Sequence, residues 1–216
     1  MGNIKLITLI IIIANGLISY KGFNDFAFFE KYKFHVGAIK NGEYFRLFSS
    51  GFLHVDFQHL IFNMFSLFFF APVVIGYLGT VGFIVVYIAS LLVGSFLSYK
   101  FHENEYNYTA VGASGAVMGI IYAAILLRPG MDLYLYFIPI PIPAYIFGVG
   151  YLLYSIYGMK AKNDNIGHDA HFGGAIAGYV FTLLLLPSII NQNLAMVIVL
   201  AIPIIILFVL KKLGKI

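Results

Sequence analysis

The sequence predicts an all-α polytopic membrane protein, in which several helices cross a lipid bilayer as one bundle. Of its 216 residues, 61% are hydrophobic and only 10% are charged, whereas a soluble domain has about 25% charged residues. The mean hydropathy is +0.93, and apolar stretches recur that can cross a hydrocarbon core of about 30 Å. These observations exclude a water-soluble globular protein and a disordered chain.

Seven apolar stretches are predicted to form the membrane helices. They are Ile4–Tyr20, Phe57–Tyr77, Val81–Tyr99, Gly112–Leu127, Tyr145–Tyr157, Ala170–Leu186 and Leu194–Leu210. The first is interpreted as a span and not as a signal peptide, because its apolar core is long and no small-residue cleavage pattern follows it. The fifth follows Pro139, Pro141 and Pro143. Since proline removes backbone donors and disfavours helix before it, Met131–Pro143 is expected to be a loop or a re-entrant segment.

The longest connection, Lys21–Asp56, is rich in Phe and Tyr. We expect a loop of this composition to lie at the membrane surface or to dip into it. The sequence shows no internal repeat and no second domain, so residues 1–216 are expected to form a single membrane domain.

Charge and cysteine content exclude several classes of protein. The net charge is +4, from 13 basic and 9 acidic residues, and the basic residues are too dispersed to predict nucleic-acid binding. The chain has no cysteine, which excludes disulfide scaffolds, thiolate metal sites and a cysteine nucleophile.

The candidate nucleophile is Ser114, in the run Gly112-Ala113-Ser114-Gly115 at the start of the fourth span. Polar groups inside a span are costly, so they are candidates for function. Small neighbours let a substrate or a second backbone approach closely, and the start of a helix leaves N–H groups that can hold an oxyanion. The structural alternative is a serine that caps its own helix.

The candidate base is His171, near the start of the sixth span. Serine is a weak nucleophile until a neighbouring base takes its proton. Gly174 and a second glycine four residues later form a seam for close helix packing on the face of His171. Gly115 begins the same kind of seam directly after Ser114. The two seams predict that these helices pack closely and bring Ser114 within hydrogen-bond reach of His171; the alternative is that the glycines only pack.

His59 and Asn63 lie four residues apart, on one face of the second span. A neutral imidazole and a side-chain amide can each donate a hydrogen bond to an oxyanion; the alternative is an interhelical hydrogen bond that only holds the bundle together. His54, just upstream, is a possible hydrogen-bond partner. Asp169 is two residues from His171 and points to a different side of the helix, so a Ser–His dyad is the simpler prediction.

Several motifs in order match a known family. They are Glu43-Tyr44-Phe45-Arg46, His54, His59-Leu60-Ile61-Phe62-Asn63, Gly112-Ala113-Ser114-Gly115-Ala116-Val117-Met118-Gly119, and His171-Phe172-Gly173-Gly174 with Gly178. In these residues the chain resembles the rhomboid intramembrane serine proteases. Each motif alone is weak, but their order and spacing extend over about residues 4–186.

The resemblance implies a six-helix core over about residues 4–187 and one added C-terminal helix over about residues 193–211. It implies that Ser114 is the nucleophile, that His171 is the general base, and that His59, Asn63 and the backbone N–H of Ser114 hold the oxyanion. The supporting residues are expected to be His54, Gly112, Gly115, Met118, Gly174 and Arg46, the last as an anchor of a half-embedded first loop.

Two positions depart from the family pattern. Phe45 stands where the family usually has tryptophan before Arg46. Met118 stands where the family often has an aromatic residue that stacks on the catalytic histidine, although a methionine can still pack there through its sulfur.

The expected function is cleavage of membrane-anchored proteins within or next to a transmembrane helix, without a metal or a cofactor. The expected partners are transmembrane substrates and the lipid bilayer, and the expected location is the cell membrane. One alternative is a catalytically inactive rhomboid-like protein that binds membrane clients. Another is a transporter or metal channel whose ligands are His54, His59, His168, His171 and Asp169.

Two predictions of orientation differ. The first loop, the active-site end and the C-terminus share one side of the membrane and carry eleven of the 13 basic residues. The positive-inside rule puts that side in the cytoplasm. The resemblance puts the active-site end on the outer face.

Overall fold

The computed structural model describes residues 5–133, 141–161 and 164–216, and it confirms an all-α helix bundle. Its helices are α1 (Leu6–Asn24), α2 (Phe26–Tyr32), α3 (Val36–Lys40), α4 (Arg46–Ser49), α5 (Phe57–Phe101), α6 (Ser114–Leu127), α7 (Ala144–Ala161), α8 (His168–Leu185), α9 (Ile189–Gln192) and α10 (Leu194–Lys212). Its strands are β1 (Phe34–His35), β2 (Thr109–Ala110), β3 (Asp132–Leu133) and β4 (Ile142–Pro143), and a 3₁₀ turn covers Ser50–Phe52.

The second and third predicted spans form the two halves of α5. Gly79 interrupts the helix with a φ of +70°, a conformation that glycine adopts without the penalty of a Cβ atom. The two ends of α5 lie beside the starts of α6 and α8, while Gly82 approaches Leu185 at the far end of α8. The chain therefore reverses direction near Gly79.

The most deeply buried helix is α6, in which every residue from Gly115 to Leu127 is buried. It packs against α5 and α8, and with them it forms the centre of the bundle. Among the described residues, three helices are long and apolar enough to cross a membrane on their own, namely α1, α5 and α10. The protein is therefore a multi-pass membrane protein.

The connection between α1 and α5 is more ordered than its sequence suggests. It contains three short helices, and β1 pairs with β2 in antiparallel register, with Phe34 opposite Ala110. This pairing ties the first loop to the segment that leads into α6. Large apolar side chains remain exposed on it, among them Phe26 and Tyr44, at 78% and 67%.

Arg46 holds this first loop together. Its side chain is buried, its Nη1 donates to the carbonyl oxygens of Glu30 at 2.8 Å and of Lys33 at 2.9 Å, and its Nε lies 2.8 Å from Glu43 Oε2. Five donors on a planar group allow one arginine to join the end of α2 to the start of α4.

The predicted loop Met131–Pro143 is described only at its two ends. There, β3 and β4 pair in antiparallel register, with Leu133 opposite Ile142. The region of Pro139 and the predicted helix start at Ile4 lie outside the described residues.

Candidate active site

The starts of α5, α6 and α8 and the middle of α7 surround one cavity of about 890 Å³. Its wall is formed by both polar and apolar side chains. Six predicted site residues line it: Ser114, His171, His59, Asn63, Gly112 and Met118. The other four, His54, Gly115, Gly174 and Arg46, are also described and stand outside this wall, where each supports an element that contributes to it.

Gly112 lies between His59 and Ser114. Its φ is +136°, and a Cβ atom there would lie 2.7 Å from His59 Cε1, 2.9 Å from His59 Nε2 and 3.6 Å from Ser114 Oγ. A side chain at this position would be strained and would collide with the imidazole. The glycine therefore allows the His59 ring and the Ser114 hydroxyl to approach the same point.

Ser114 is the first residue of α6 and is half-buried. The turn before it is held from two sides, because the N–H of Gly112 donates to the Ser50 carbonyl at 3.0 Å and the N–H of Ala113 donates to His54 Nε2 at 3.4 Å. The first N–H groups of a helix have no acceptor within the helix. Donors near Ser114 are thus available beside the cavity.

The glycine seams of α6 and α8 pack against each other, as their spacing predicts. A Cβ atom on Gly115 would lie 3.1 Å from the carbonyl oxygen of Ala170, and one on Gly174 would collide with the carbonyl oxygen of Gly115. Ser114 precedes Gly115 in the chain, and His171 follows Ala170. The contact of the two backbones therefore places the predicted nucleophile and the predicted base at the same junction of helices.

His171 bonds to a residue that the sequence did not indicate. Its Nδ1 lies 2.6 Å from Tyr151 Oη, and the two rings are tilted by 33° with centroids 5.9 Å apart. Within the described part of the chain, no Ser114–His171 hydrogen bond is formed. Catalytic hydrogen bonds are often long before a substrate binds. Because Nδ1 bonds to Tyr151, Nε2 is the ring nitrogen that can bond to Ser114.

His59 and Asn63 share one face of α5 and both line the cavity. Asp56 caps this helix by accepting the His59 N–H at 2.7 Å. The amide nitrogen of Asn63 donates to the His59 carbonyl at 3.2 Å. Because a side-chain amide carries two N–H bonds, one of them is left to donate into the cavity.

His54 is fully buried, and its hydrogen bonds fix its tautomer. Ser19 Oγ donates to the Phe52 carbonyl at 2.9 Å and lies 2.9 Å from His54 Nδ1, so Nδ1 carries the proton and Nε2 accepts from Ala113. Burial, and then the nearby His59, lower the pKa of His54 to about 3, against a smaller opposite effect of Asp56. The imidazole is therefore neutral at pH 7.

Asp169 points away from His171, as its spacing predicts. Its Oδ2 lies 3.4 Å from Nε2 of His102, whose Nδ1 lies 2.9 Å from Glu105 Oε2. Burial opposes a charge on His102, but bonds to Asp169 and Glu105 outweigh it and raise the pKa of this imidazole. The pair ties the start of α8 to the end of α5.

Within the described ranges, no group of three His, Asp or Glu side chains converges as a metal site requires. The metal-channel alternative thus has no ligand set in this part of the chain. His168 instead pairs with Asp164, whose Oδ1 lies 3.1 Å from His168 Nε2.

Comparisons with known proteins agree with this architecture. A family model described as the Rhomboid domain matches residues 41–188. RHOMBOID-like protein 12, mitochondrial, of Arabidopsis thaliana is 30% identical over 183 residues, which make up 76% of this chain and 54% of that protein. The Presenilin-associated rhomboid-like protein, mitochondrial, of Homo sapiens is 31% identical over 136 residues, 60% of this chain and 35% of that protein.

A third relative, YdcA of Bacillus subtilis (strain 168), is a candidate rhomboid protease by its name. It is 40% identical over 83 residues, which make up 38% of this chain and 41% of that protein. The chain thus spans between about a third and about half of the length of the curated relatives it matches. The domain match, the relatives and the helix bundle agree, and the chain belongs to the rhomboid family.

Proposed function

We propose that this protein is an intramembrane serine endopeptidase that cleaves membrane-anchored proteins within or next to a transmembrane helix. The observation that carries the proposal is the contact of Gly115 with Ala170 at the starts of α6 and α8. Because of this contact, Ser114 and His171 line one cavity together with two candidate oxyanion donors, His59 and Asn63.

The length of α6 supports a reaction below the lipid surface. Its 14 residues extend for about 21 Å at 1.5 Å per residue, which is shorter than a hydrocarbon core of about 30 Å. A helix of this length cannot reach both surfaces, and because the charged Arg128 follows its last residue, we expect that end at the far surface and Ser114 below the near one. Water that enters the cavity would meet the serine at a depth where a transmembrane substrate can also reach it.

In the proposed mechanism, His171 takes the proton of the Ser114 hydroxyl while Oγ attacks a substrate carbonyl carbon. The resulting oxyanion accepts hydrogen bonds from the His59 ring, the Asn63 amide and the Ser114 N–H. The C–N bond then breaks, and the imidazolium of His171 gives its proton to the leaving amine. Water, activated by the same imidazole, hydrolyses the acyl-enzyme and restores the serine. The mechanism uses no metal and no cofactor.

The proposed substrates are transmembrane proteins, and the lipid bilayer is the medium that presents them. The name of YdcA supports the proteolytic assignment. The names of the Arabidopsis and human relatives place those two proteins in mitochondria. For this chain, location in the cell membrane remains a proposal.

The test uses the purified full chain and a reporter protein with one transmembrane segment. We expect the wild type to cleave the reporter, and Ser114→Ala or His171→Ala to lower the rate by roughly 10³-fold or more, as in other serine hydrolases that lose nucleophile or base. A fluorophosphonate probe should label the wild type but not Ser114→Ala. Ser66→Ala is the matched control, because this serine lines the same cavity.

Full cleavage by Ser114→Ala would refute the assignment of the nucleophile. A folded wild type that neither cleaves the reporter nor reacts with the probe would instead support the client-binding alternative.

A further inference from the structure

The hydroxyl group of Tyr151 has no role in the mechanism above, yet it forms a hydrogen bond with Nδ1 of His171. Tyr151 lies in the middle of α7, half-buried, and lines the cavity. The 2.6 Å between its Oη and His171 Nδ1 is a short distance for a bond between oxygen and nitrogen. The contact crosses from α7 to α8 beside the proposed dyad.

From this contact we propose that Tyr151 is a positioning residue for His171, which it holds in the tautomer that keeps Nε2 free to take the proton of Ser114. The inference rests on the proposed function. A neutral imidazole carries one proton, and the bond made by one ring nitrogen decides which nitrogen carries it. If Oη accepts from Nδ1–H, Nε2 keeps a lone pair and can act as a base. The opposite arrangement would put the proton on Nε2 and block the reaction.

The surroundings of Tyr151 favour the accepting role. A phenol that accepts a hydrogen bond needs its own proton placed elsewhere, and because Tyr151 lines the cavity, its O–H can donate to water there. When His171 becomes an imidazolium during the reaction, Nδ1 still carries a proton and the same bond persists. Tyr151 is thus compatible with both protonation states that the mechanism needs.

The carboxylates near His171 are engaged elsewhere. Asp169 faces His102 at 3.4 Å. Asp164 accepts from Tyr154 Oη at 2.9 Å and lies 3.1 Å from His168. Serine hydrolases with a triad use a carboxylate to orient their histidine; here the phenol oxygen of Tyr151 stands at that position.

Ring packing also fixes the phenol. Phe147, one turn earlier on α7, stacks on Tyr151 with centroids 5.8 Å apart and an angle of 26°. The ring of Tyr151 is therefore held against its own helix, and this contact restricts where Oη can lie. The same helix is tied to α6, because Tyr122 Oη donates to the Gly148 carbonyl at 2.9 Å.

The experiment compares Tyr151→Phe with Tyr154→Phe in the full chain. The first change removes Oη and keeps the ring. The second removes the hydroxyl of an exposed tyrosine on the same helix that bonds to Asp164 instead. For Tyr151→Phe we expect kcat on the transmembrane reporter to fall about 10- to 100-fold with KM unchanged, as expected for losing a hydrogen bond to a group that becomes charged. Tyr154→Phe should keep the wild-type kcat.

A second readout does not depend on activity. In protein labelled with ¹⁵N-histidine, the ring nitrogen shifts distinguish a protonated nitrogen from a bare one, and His171→Gln identifies the signals of His171. We expect the proton of His171 on Nδ1 in the wild type and on a mixture of both nitrogens in Tyr151→Phe. All spectra are recorded at one fixed pH, because His59, His168, Asp169 and Asp164 act electrostatically on His171.

An unchanged kcat together with an unchanged tautomer in Tyr151→Phe would overturn the inference and leave the proposed function standing. A proton on Nε2 in the wild type would also overturn it. If the wild type is inactive, the proposed function fails. The tautomer measurement still decides whether Tyr151 determines which ring nitrogen of His171 carries the proton.

Discussion

His54 bonds to the residue just before Ser114, the proposed nucleophile. Ser19 on α1 orients its imidazole, and the imidazole accepts the N–H of Ala113, the residue before Ser114. A buried N–H that lost this acceptor would cost about 1–3 kcal/mol. At the scale of single residues, two hydrogen bonds between neutral groups therefore connect α1 to the turn before Ser114. One joins Ser19 to His54, and the other joins His54 to Ala113.

The low pKa of His54 predicts how stability depends on pH. The unfolded chain protonates this histidine near its ordinary value of 6.5, whereas the folded protein does so only near pH 3. Its contribution to the free energy of unfolding is therefore fully present above pH 6.5 and is lost as the pH falls from there towards 3. The loss is about 1.4 kcal/mol per pH unit.

We expect His54→Gln to remove this part of the acid sensitivity when unfolding in mixed micelles is measured between pH 7.5 and 5. His102→Gln serves as the control, because Asp169 and Glu105 raise the pKa of His102, and its removal should therefore not reduce the acid sensitivity. An equally steep loss of stability in wild type and His54→Gln would show that another group is responsible.

The sequence singles out Ser114, His171, His59 and Asn63 because polar side chains in apolar spans are few. It does not single out Tyr151, since the chain has 16 tyrosines and a tyrosine on a membrane helix has ordinary alternatives. Ser19 is missed for the same reason. Its role depends on a contact with His54, 35 positions away in the chain, and only the fold brings the two together.

At the scale of elements, the contact between α6 and α8 decides the geometry of the site. Gly174 lies very close to the backbone of Gly115. A Cβ atom on Gly174 would lie 3.1 Å from the Cα of Gly115 and would collide with the carbonyl oxygen of Gly115. Backbone cannot move aside as a flexible side chain can. Any side chain at Gly174 must therefore push the two helices apart.

We expect Gly174→Ala to lower stability by about 1–3 kcal/mol, the usual cost of overpacking, and to abolish both reporter cleavage and probe labelling. Labelling of Ser114 and thermal unfolding measure the two effects. Gly76→Ala is the matched control, because this glycine also lies in a membrane helix but a Cβ atom there meets open space. Normal labelling of Gly174→Ala would mean that the junction tolerates a wider helix separation than the structure indicates.

Helix positions follow from apolar length, and for this reason the predicted spans agree with α1, α5, α6, α7, α8 and α10 to within a few residues. The order within the first loop does not follow from sequence. Its short helices are held by Arg46 and by the pairing of β1 with β2, and both depend on residues distant in the chain. The mixed Phe, Tyr and Lys content of that loop carries no period that could have shown them.

At the scale of the whole molecule, polar groups gather at one end of the bundle. The cavity, the first loop and the His102–Asp169 pair all lie at the end where α6 and α8 begin. The opposite end carries Arg128, one residue after α6. The end of the bundle that carries the cavity is therefore also the end where the proposed reaction takes place. The single membrane domain over residues 1–216 stays a prediction.

The orientation of the bundle can be measured, because the chain contains no cysteine and single cysteines can be placed at will. Asn104 and Gly130 are exposed residues at opposite ends of the bundle. The count of lysines and arginines predicts that the active-site end faces the cytoplasm. The resemblance to rhomboid proteases predicts that it faces outwards, and we expect this second result.

In intact cells, a maleimide that cannot cross membranes should therefore label Asn104→Cys and not Gly130→Cys, and both should react once the cells are permeabilised. Labelling of Gly130→Cys alone would mean that the basic residues set the topology. The cavity would then open to the cytoplasm, and the water for the proposed hydrolysis would enter from that side.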